Sequence, residues 1–302
     1  MAVIRKNFKK YIRLFLFYTF GRLGYKIGSK KDILILTSSR SGSTWLVESI
    51  LKNGKSKLIN QPFDCLFNSN VHEKRLPISN KNYHFINLTK EDEEKLFKFW
   101  HQLRDGRLNH NSIWKLFSKD FFFFYNRKIY KVFFMKDKIE FFINQNNLTI
   151  IYLLRNPMNT SLSNINYNYK PSGECFLRIK NIKDYPKEFK KLKEIYYETN
   201  SVLATYIISW CFENYKINNY SKNNDNIIIL RYEDLVLNEK KMIEKLKKFI
   251  NKDFMLKNDN SKTYKKQNNS LNQGLIHELK CEHNYDFINS VTKEYFNYNL
   301  EQ

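Results

Sequence analysis

The sequence predicts a three-layer α/β protein in which a central parallel sheet carries helices on both faces. Four short apolar runs lack the polar alternation of a half-exposed strand, as is typical of strands buried on both sides. Segments of helical period lie between and after these runs. Strands that alternate with helices favour parallel pairing, because each helix returns the chain to the start of the next strand.

The predicted elements follow one another along most of the chain. The strands are Ile33–Leu36, Val132–Met135, Thr149–Leu154 and Ile227–Leu230. The helices are Thr44–Asn53, Met158–Ile165, Glu188–Lys216 and Glu239–Ile250. Residues 54–127 and 166–187 fit neither pattern. Insertions of this kind in an α/β fold either form a wall of the substrate site or decorate the surface.

A chain of 302 residues is long enough for one large α/β domain with a filled core. We assign residues 31–302 to that domain and residues 1–30 to a basic amphipathic segment. Within this segment, residues 3–27 are expected to form a helix that packs on the domain or lies on an anionic membrane. The apolar run Leu14–Phe20 is too short to cross a bilayer, which needs about 20 residues. We expect a cytoplasmic protein, with peripheral membrane contact as the alternative.

The net charge and the cysteines exclude few classes of function. Lys and Arg number 52 against 30 Asp and Glu, which gives a net charge of +22. This charge favours an anionic partner, but the joint abundance of Lys, Asn, Ile, Phe and Tyr is equally what A+T-rich codons produce. The four cysteines are far apart, which argues against a disulfide framework and favours a reducing compartment. His277, Cys281 and His283 match no standard ligand spacing, so no metal is expected.

Residues 32–48 predict a strand, a tight turn at Gly42 and a helix that begins near Ser43. A helix N-terminus presents free backbone N–H groups and the positive end of the helix dipole, which is where phosphates bind. The side chains that add ligands are Arg40, Ser41, Ser43 and Thr44. The segment therefore predicts a P-loop-like anion site, although the ATPase pattern GxxxxGK[ST] is absent.

A second motif follows another predicted strand. Thr149–Leu154 ends at Arg155, which the strand carries to the carboxyl edge of the sheet, where ligands of open α/β sheets bind. Pro157 suits the first turn of a helix. Ser163 then lies about two turns along that helix.

The run Arg-Ser-Gly-Ser-Thr-Trp at residues 40–45 resembles the 5′-phosphosulfate loop of sulfotransferases that use 3′-phosphoadenosine 5′-phosphosulfate (PAPS), and more closely their carbohydrate and bacterial branch. Arg155 and Ser163 have the spacing of the pair that holds the 3′-phosphate in that family. Residues 231–235, Arg-Tyr-Glu-Asp-Leu, resemble its third segment. The resemblance implies PAPS as co-substrate, no metal, and donor contacts from Arg40, Ser41, Gly42, Ser43, Thr44, Trp45, Arg155, Ser163, Arg231 and Tyr232.

One segment departs from the family pattern. Many relatives close a Gly- or Trp-containing C-terminal loop over the adenosine, whereas here Tyr264–Gln267 is followed by no Trp. Lys265 and Lys266 either reach a phosphate or are solvated.

Sulfuryl transfer needs a base for the acceptor hydroxyl and cations for the leaving phosphate. Arg40 is the expected cation. Glu48 lies four residues after Thr44, hence on the same helix face beside the bound anion, and is the expected base. Asp64, His72 and His84 are the alternatives.

The acceptor expected from this resemblance is a hydroxyl of a carbohydrate or glycolipid. A nucleotide-dependent phosphotransferase is disfavoured by the missing Walker lysine. A non-enzymatic protein that binds nucleic acid or another polyanion would use the basic charge with 25 Phe and 20 Tyr. No nucleic-acid-binding motif supports it, so we expect no such partner. The oligomeric state stays open.

Overall fold

The computed structural model describes residues 11–12, 15, 25–27, 30–52, 55–64, 84–108, 124–178, 185–220, 224–237, 239–250 and 270–301. The strands in this part of the chain are β1 (Tyr25–Lys26), β2 (Asp32–Thr37), β3 (Ser56–Asn60), β4 (Phe124–Tyr125), β5 (Arg127–Val132), β6 (Leu148–Leu154) and β7 (Ile227–Arg231). Five of them form a sheet in the order β3-β5-β2-β6-β7, and β1 pairs with β4. All of these pairs are parallel, as the sequence predicts.

The helices surround this sheet. Those in the described residues are α1 (Ser43–Lys52), α2 (Lys90–Arg104), α3 (Ile139–Ile143), α4 (Pro157–Asn166), α5 (Glu174–Leu177), α6 (Lys187–Glu198), α7 (Val202–Asn214), α8 (Ile217–Tyr220), α9 (Tyr232–Leu237), α10 (Glu239–Ile250), α11 (Ser270–Cys281) and α12 (Tyr285–Phe296). A short 3-10 turn covers Lys136–Lys138. Across the described residues, no helix combines the length and the apolar character needed to span a membrane.

The central strand is buried on both faces. Leu34 and Leu36 of β2 belong to the larger apolar cluster, which includes α7. Ile33 and Ile35 point the other way, into the cluster that includes α1 and α10. Alternate residues of a strand face opposite sides, so burial of both faces accounts for the continuous apolar run over residues 33–36. The three-layer α/β prediction is confirmed.

Most predicted elements agree with the structure to within a residue or two, but the helix predicted over Glu188–Lys216 is two helices. The chain leaves the helical path after α6 and re-enters it at α7. Ser201 caps the second helix, because its hydroxyl oxygen accepts a hydrogen bond from the backbone N–H of Ala204 at 3.3 Å. Serine is a favoured N-cap residue, so the break is encoded locally.

The strand predicted over Val132–Met135 is wrong, since β5 covers Arg127–Val132. Its basic residues are buried and find partners that the sequence does not reveal. The Arg127 guanidinium donates to a carbonyl at the end of α10 at 2.7 Å. The Lys128 ammonium donates to two carbonyls at the end of α2, at 2.9 and 2.8 Å. Met135 has a left-handed φ of 75°, so the extended backbone has already ended there.

Two regions without a clear pattern contain regular structure. Residues 54–127 include β3 and α2, and residues 166–187 include α5. The helix expected over residues 3–27 lies almost wholly outside the described residues. The assignment of residues 31–302 to a single domain stays a prediction.

Candidate active site

The predicted motifs meet at one edge of the sheet. Because the five strands are parallel, their carboxyl ends lie side by side. Gln61 follows β3, Lys131 lies near the end of β5, the loop of residues 38–42 follows β2, Arg155 follows β6 and Arg231 ends β7. This edge is where ligands of open parallel sheets bind.

The loop between β2 and α1 turns tightly. Arg40 and Gly42 have left-handed φ values of 64° and 82°. The Leu46 N–H donates to the Gly42 carbonyl at 3.2 Å, so the N–H groups of the first turn of α1 have no acceptor within the helix. The Ser41 hydroxyl is buried and has no hydrogen-bond partner among the described residues. A buried hydroxyl of this kind is costly unless a ligand satisfies it, and the loop therefore fits an anion.

Hydrogen bonds join the loop to the second motif. The Arg155 guanidinium donates from Nη1 to the Arg40 carbonyl at 2.7 Å. The Arg40 side chain donates from Nε to the Ser163 hydroxyl at 3.0 Å, and its guanidinium lies 3.9 Å from the centre of the Tyr167 ring. Arg155 and Ser163 are both buried. The structure thus brings Arg40 to Arg155 and Ser163, each of which lies more than a hundred positions after Arg40 in the sequence.

The Tyr232 ring packs against the loop. It lies edge-to-face with Trp45, with ring centres 6.0 Å apart, and 5.1 Å from the Arg155 guanidinium. A Cβ atom at Gly42 would stand 2.3 Å from Tyr232 Cδ2, closer than any real contact. Glycine is therefore required at position 42 both by the left-handed backbone and by the neighbouring ring.

The described contacts of Arg231 are with the C-terminal segment. Its guanidinium lies 5.3 Å from the centre of the Tyr298 ring. With the oxygen and nitrogen of the Asn297 side-chain amide interchanged, the oxygen accepts hydrogen bonds from both Arg231 Nη atoms at 2.9 Å. Glu233 accepts from the Asn156 N–H at 2.9 Å and from the Tyr298 hydroxyl at 3.1 Å. These bonds tie the end of β7 to α4 and to the segment after α12.

Lys131 is a cation at the loop that the motif analysis missed. It is buried, and its ammonium donates to the Thr44 hydroxyl, at the start of α1, at 2.8 Å. It also lies 4.8 Å from the centre of the Phe133 ring. A lysine is expensive to bury, so its position between the apolar residues Tyr130 and Val132 was the available signal.

Glu48 and Asp64 occupy different places around the loop. Glu48 is half-buried on α1, one turn beyond Thr44. Asp64 is buried after β3, and its backbone N–H donates to the Gln61 carbonyl at 3.2 Å. Gln61 in turn donates its N–H to the Lys131 carbonyl at 2.8 Å. Both carboxylates therefore belong to elements that contact the Lys131 side of the site.

The remaining candidates are less accessible or lie elsewhere. His84 is fully buried, with its ring centre 5.6 Å from that of Phe134 and 4.9 Å from that of Phe176. This burial lowers the pKa of His84 to about 4. His72 and the segment Tyr264–Gln267 with Lys265 and Lys266 lie outside the described residues.

In the part of the chain that the structure describes, no three His, Cys, Asp or Glu side chains are close enough to share a metal ion. The Cys281 sulfur lies 3.7 Å from His277 Nε2 in an exposed position on α11.

Comparison with known proteins finds a family model and solved structures that match most of the chain. A family model described as "Sulfotransferase domain" matches residues 30–294. No curated protein matches. A solved sulfotransferase from Alicyclobacillus acidocaldarius is similar at 11% identity, covering 90% of this chain and 98% of that chain with a TM-score of 0.43. The sulfotransferase domain of the Synechococcus olefin synthase is 17% identical, covers 76% and 78% of the two chains, and has a TM-score of 0.37.

We predict that Gly42→Ala destabilises the protein. The added methyl group would clash with Tyr232 and would disfavour the left-handed backbone. The free energy of unfolding in urea should fall by about 1–3 kcal/mol. Gly274→Ala is the matched control, because its Cβ would meet nothing within 4 Å on α11. That variant should be neutral or gain up to about 1 kcal/mol, and equal losses in both variants would contradict the packing argument.

Proposed function

Because the chain belongs to the sulfotransferase domain family, it is a PAPS-dependent sulfotransferase, and we propose which of its residues hold the donor and which carry the reaction. The loop of residues 40–45 holds the 5′-phosphosulfate, and Arg155 with Ser163 holds the 3′-phosphate. The observation that carries this proposal is the hydrogen-bonded chain from Arg155 through Arg40 to Ser163. It places the loop and the pair side by side at one sheet edge, where one ligand with two anionic groups can contact both.

Several features of the loop support the 5′ assignment. The first N–H groups of α1, the buried Ser41 hydroxyl and the hydroxyls of Ser43 and Thr44 are donors for phosphate and sulfate oxygens. Gly42 lets the chain take the left-handed turn that presents these donors, with the Tyr232 ring packed where a side chain would stand. The remaining proposed donor contacts come from Trp45, Arg231 and Tyr232. Packing of the Tyr232 ring against Gly42 and Arg155 supports its place among the donor contacts.

The reaction proposed for this site is a single in-line displacement. The donor supplies the sulfuryl group. The acceptor oxygen bonds to sulfur as the bond from sulfur to the bridging phosphate oxygen breaks, and adenosine 3′,5′-bisphosphate leaves. Arg40 and Lys131 stabilise the negative charge that develops on the leaving phosphate. The Lys131 hydrogen bond to Thr44, at the mouth of the anion loop, supports its part in this step.

Glu48 is the proposed base that takes the proton of the acceptor hydroxyl. It is half-buried one turn beyond Thr44, so its carboxylate shares a helix face with a proposed phosphosulfate ligand. A carboxylate in that position is within reach of an acceptor that approaches the sulfur from the side of α1. Asp64, at the end of β3, is the alternative.

The proposed acceptor is a hydroxyl of a carbohydrate or glycolipid. Tyr167 and Tyr169 are 57% and 36% exposed, and their rings stack at 6.2 Å with an angle of 18°. The Arg40 guanidinium also lies over the Tyr167 ring, so the two tyrosines border the site. Flat exposed aromatic rings suit the apolar face of a sugar ring. A glycolipid acceptor would agree with a cytoplasmic protein that contacts membranes through residues 3–27.

The donor site is tested by calorimetry with adenosine 3′,5′-bisphosphate, ATP with Mg²⁺, and a single-stranded oligonucleotide. We expect the bisphosphate to bind at least about tenfold more tightly than ATP, because only it carries a 3′ anion for Arg155 and Ser163. Arg155→Ala should weaken binding of the bisphosphate more than binding of adenosine 5′-phosphosulfate, which lacks the 3′-phosphate and is affected only through the bond from Arg155 to the Arg40 carbonyl. Equal affinity for the three ligands in the wild type would overturn the donor assignment.

We predict that Glu48→Gln retains donor binding but loses turnover by about two orders of magnitude or more. The amide keeps the shape of the side chain and cannot accept the proton. Turnover is measured by transfer of labelled sulfate from PAPS to a panel of glycans and glycolipids, and donor binding by calorimetry. Asp64→Asn is the companion variant. Near-normal turnover in Glu48→Gln, together with a large loss in Asp64→Asn, would move the role of base to Asp64.

We predict that Tyr167→Ala raises the KM for a glycan acceptor about tenfold, by removal of the stacking surface. Tyr197→Ala is the matched control, because Tyr197 is 63% exposed on α6 and touches no proposed site residue in the described contacts. Both KM values come from initial rates at saturating PAPS. If the two variants raise KM equally, the tyrosine pair is not the acceptor surface.

A further inference from the structure

A group of buried polar side chains lies at the base of the anion loop and takes no part in the contacts described above. Lys136 stands at its centre, in the turn after β5, with an almost fully buried ammonium group. The other members are Ser38, Tyr152, Ser172, Glu213 and Asn214. We call these six residues the anchoring network.

Lys136 meets one partner for each of its three N–H bonds. The ammonium donates to Ser38 Oγ at 2.6 Å, to Glu213 Oε1 at 2.7 Å and to Asn214 Oδ1 at 3.0 Å. Ser38 is the residue directly after β2, at the start of the anion loop. A fully bonded lysine therefore fixes the hydroxyl at the root of the turn.

The partners of Lys136 are themselves fixed. Glu213 Oε2 accepts from the Ser172 hydroxyl at 2.8 Å, and Asn214 Oδ1 accepts from the Tyr152 hydroxyl at 3.0 Å. The Asn214 amide nitrogen donates to the Trp210 carbonyl at 2.8 Å. The network thus connects the loop to β6, to α7 and to the segment before α5. A shift of Lys136 would have to break several hydrogen bonds together.

A buried ion pair is a poor device for stability alone. Burial lowers the pKa of Lys136, and the Glu213 carboxylate opposes that shift. Replacement of such a pair by apolar side chains often leaves a protein as stable as before. What the Lys136 and Glu213 pair provides is a fixed position for the Ser38 hydroxyl. That position matters because Arg40, two residues on, holds a left-handed φ of 64°, which a non-glycine residue keeps only when its surroundings enforce it.

We propose that Lys136 is a positioning residue for donor binding, which acts through Ser38 to hold the turn of the anion loop in its binding conformation. Glu213 compensates its charge, and Asn214 orients its ammonium group. The inference rests on the proposed donor site, since Lys136 acts on the donor only through the loop that Ser38 begins.

The test compares two buried lysines by substitution to methionine, which is unbranched and nearly as long but has no ammonium group. Lys136→Met should raise the Kd for adenosine 3′,5′-bisphosphate about tenfold or more, measured by calorimetry. Lys128→Met is the control, because Lys128 is equally buried and also donates to protein oxygens, but at the end of α2. It should lower stability in urea and leave the Kd unchanged. Equal increases of Kd in both variants would mean a general loss of stability and would overturn the proposal.

Ser38→Ala provides a second test that leaves the Lys136 and Glu213 pair intact. This variant should also raise the Kd for the bisphosphate. The double variant Ser38→Ala/Lys136→Met should bind the bisphosphate no more weakly than Lys136→Met alone, because both substitutions remove the same hydrogen bond between Lys136 and Ser38. A wild-type Kd in Ser38→Ala overturns the proposal even if Lys136→Met fails to fold. Failure of the wild type to bind the bisphosphate would instead refute the donor site itself, so the two failures are distinguishable.

Discussion

The site depends on one tight turn between a buried strand and a helix, and on the hydrogen bonds that hold this turn in its conformation. Two left-handed residues, Arg40 and Gly42, turn the backbone so that the N–H groups of α1 face the sheet edge. The turn is not stable by its own composition, because one of these residues is an arginine. Arg155 holds it from the β6 side, and Tyr232 packs against it at Gly42. The neighbouring strands therefore supply the rigidity that an anion site needs.

The positive charge of the chain indicates a kind of ligand only when the positions of the basic side chains are known. A net charge of +22 is compatible with many anionic partners. In the structure, Arg40, Lys131 and Arg155 converge on one loop, and two of them are buried. Cations that are buried beside an anion-binding helix end cost free energy in the absence of a ligand, which favours a bound anion over a general electrostatic surface. The same side chains thus serve the proposed binding of donor and the proposed stabilisation of the leaving phosphate.

Errors in the sequence-based fold have identifiable physical causes. The strand at β5 was placed about five residues late because Arg127, Lys128 and Lys131 are charged, and charged residues argue against a buried strand. Each of them is tolerated there because another element provides an oxygen partner. The break between α6 and α7 was missed for a different reason. Both helices have apolar residues at helical spacing, and only three residues separate them, the last of which, Ser201, caps the second helix.

The sequence by itself determined the alternation of buried strands with helices, the motif at residues 40–45 and the spacing of Arg155 and Ser163. These features depend on residues that are close along the chain, so periodicity, turn chemistry and motif spacing reveal them. Only the tertiary structure decided that Lys131 reaches Thr44, that Lys136 fixes Ser38, and that the described contacts of Arg231 lie with the C-terminal segment. Those contacts join residues that are far apart in sequence, and parallel strands bring such residues together at a sheet edge whose order no local pattern encodes.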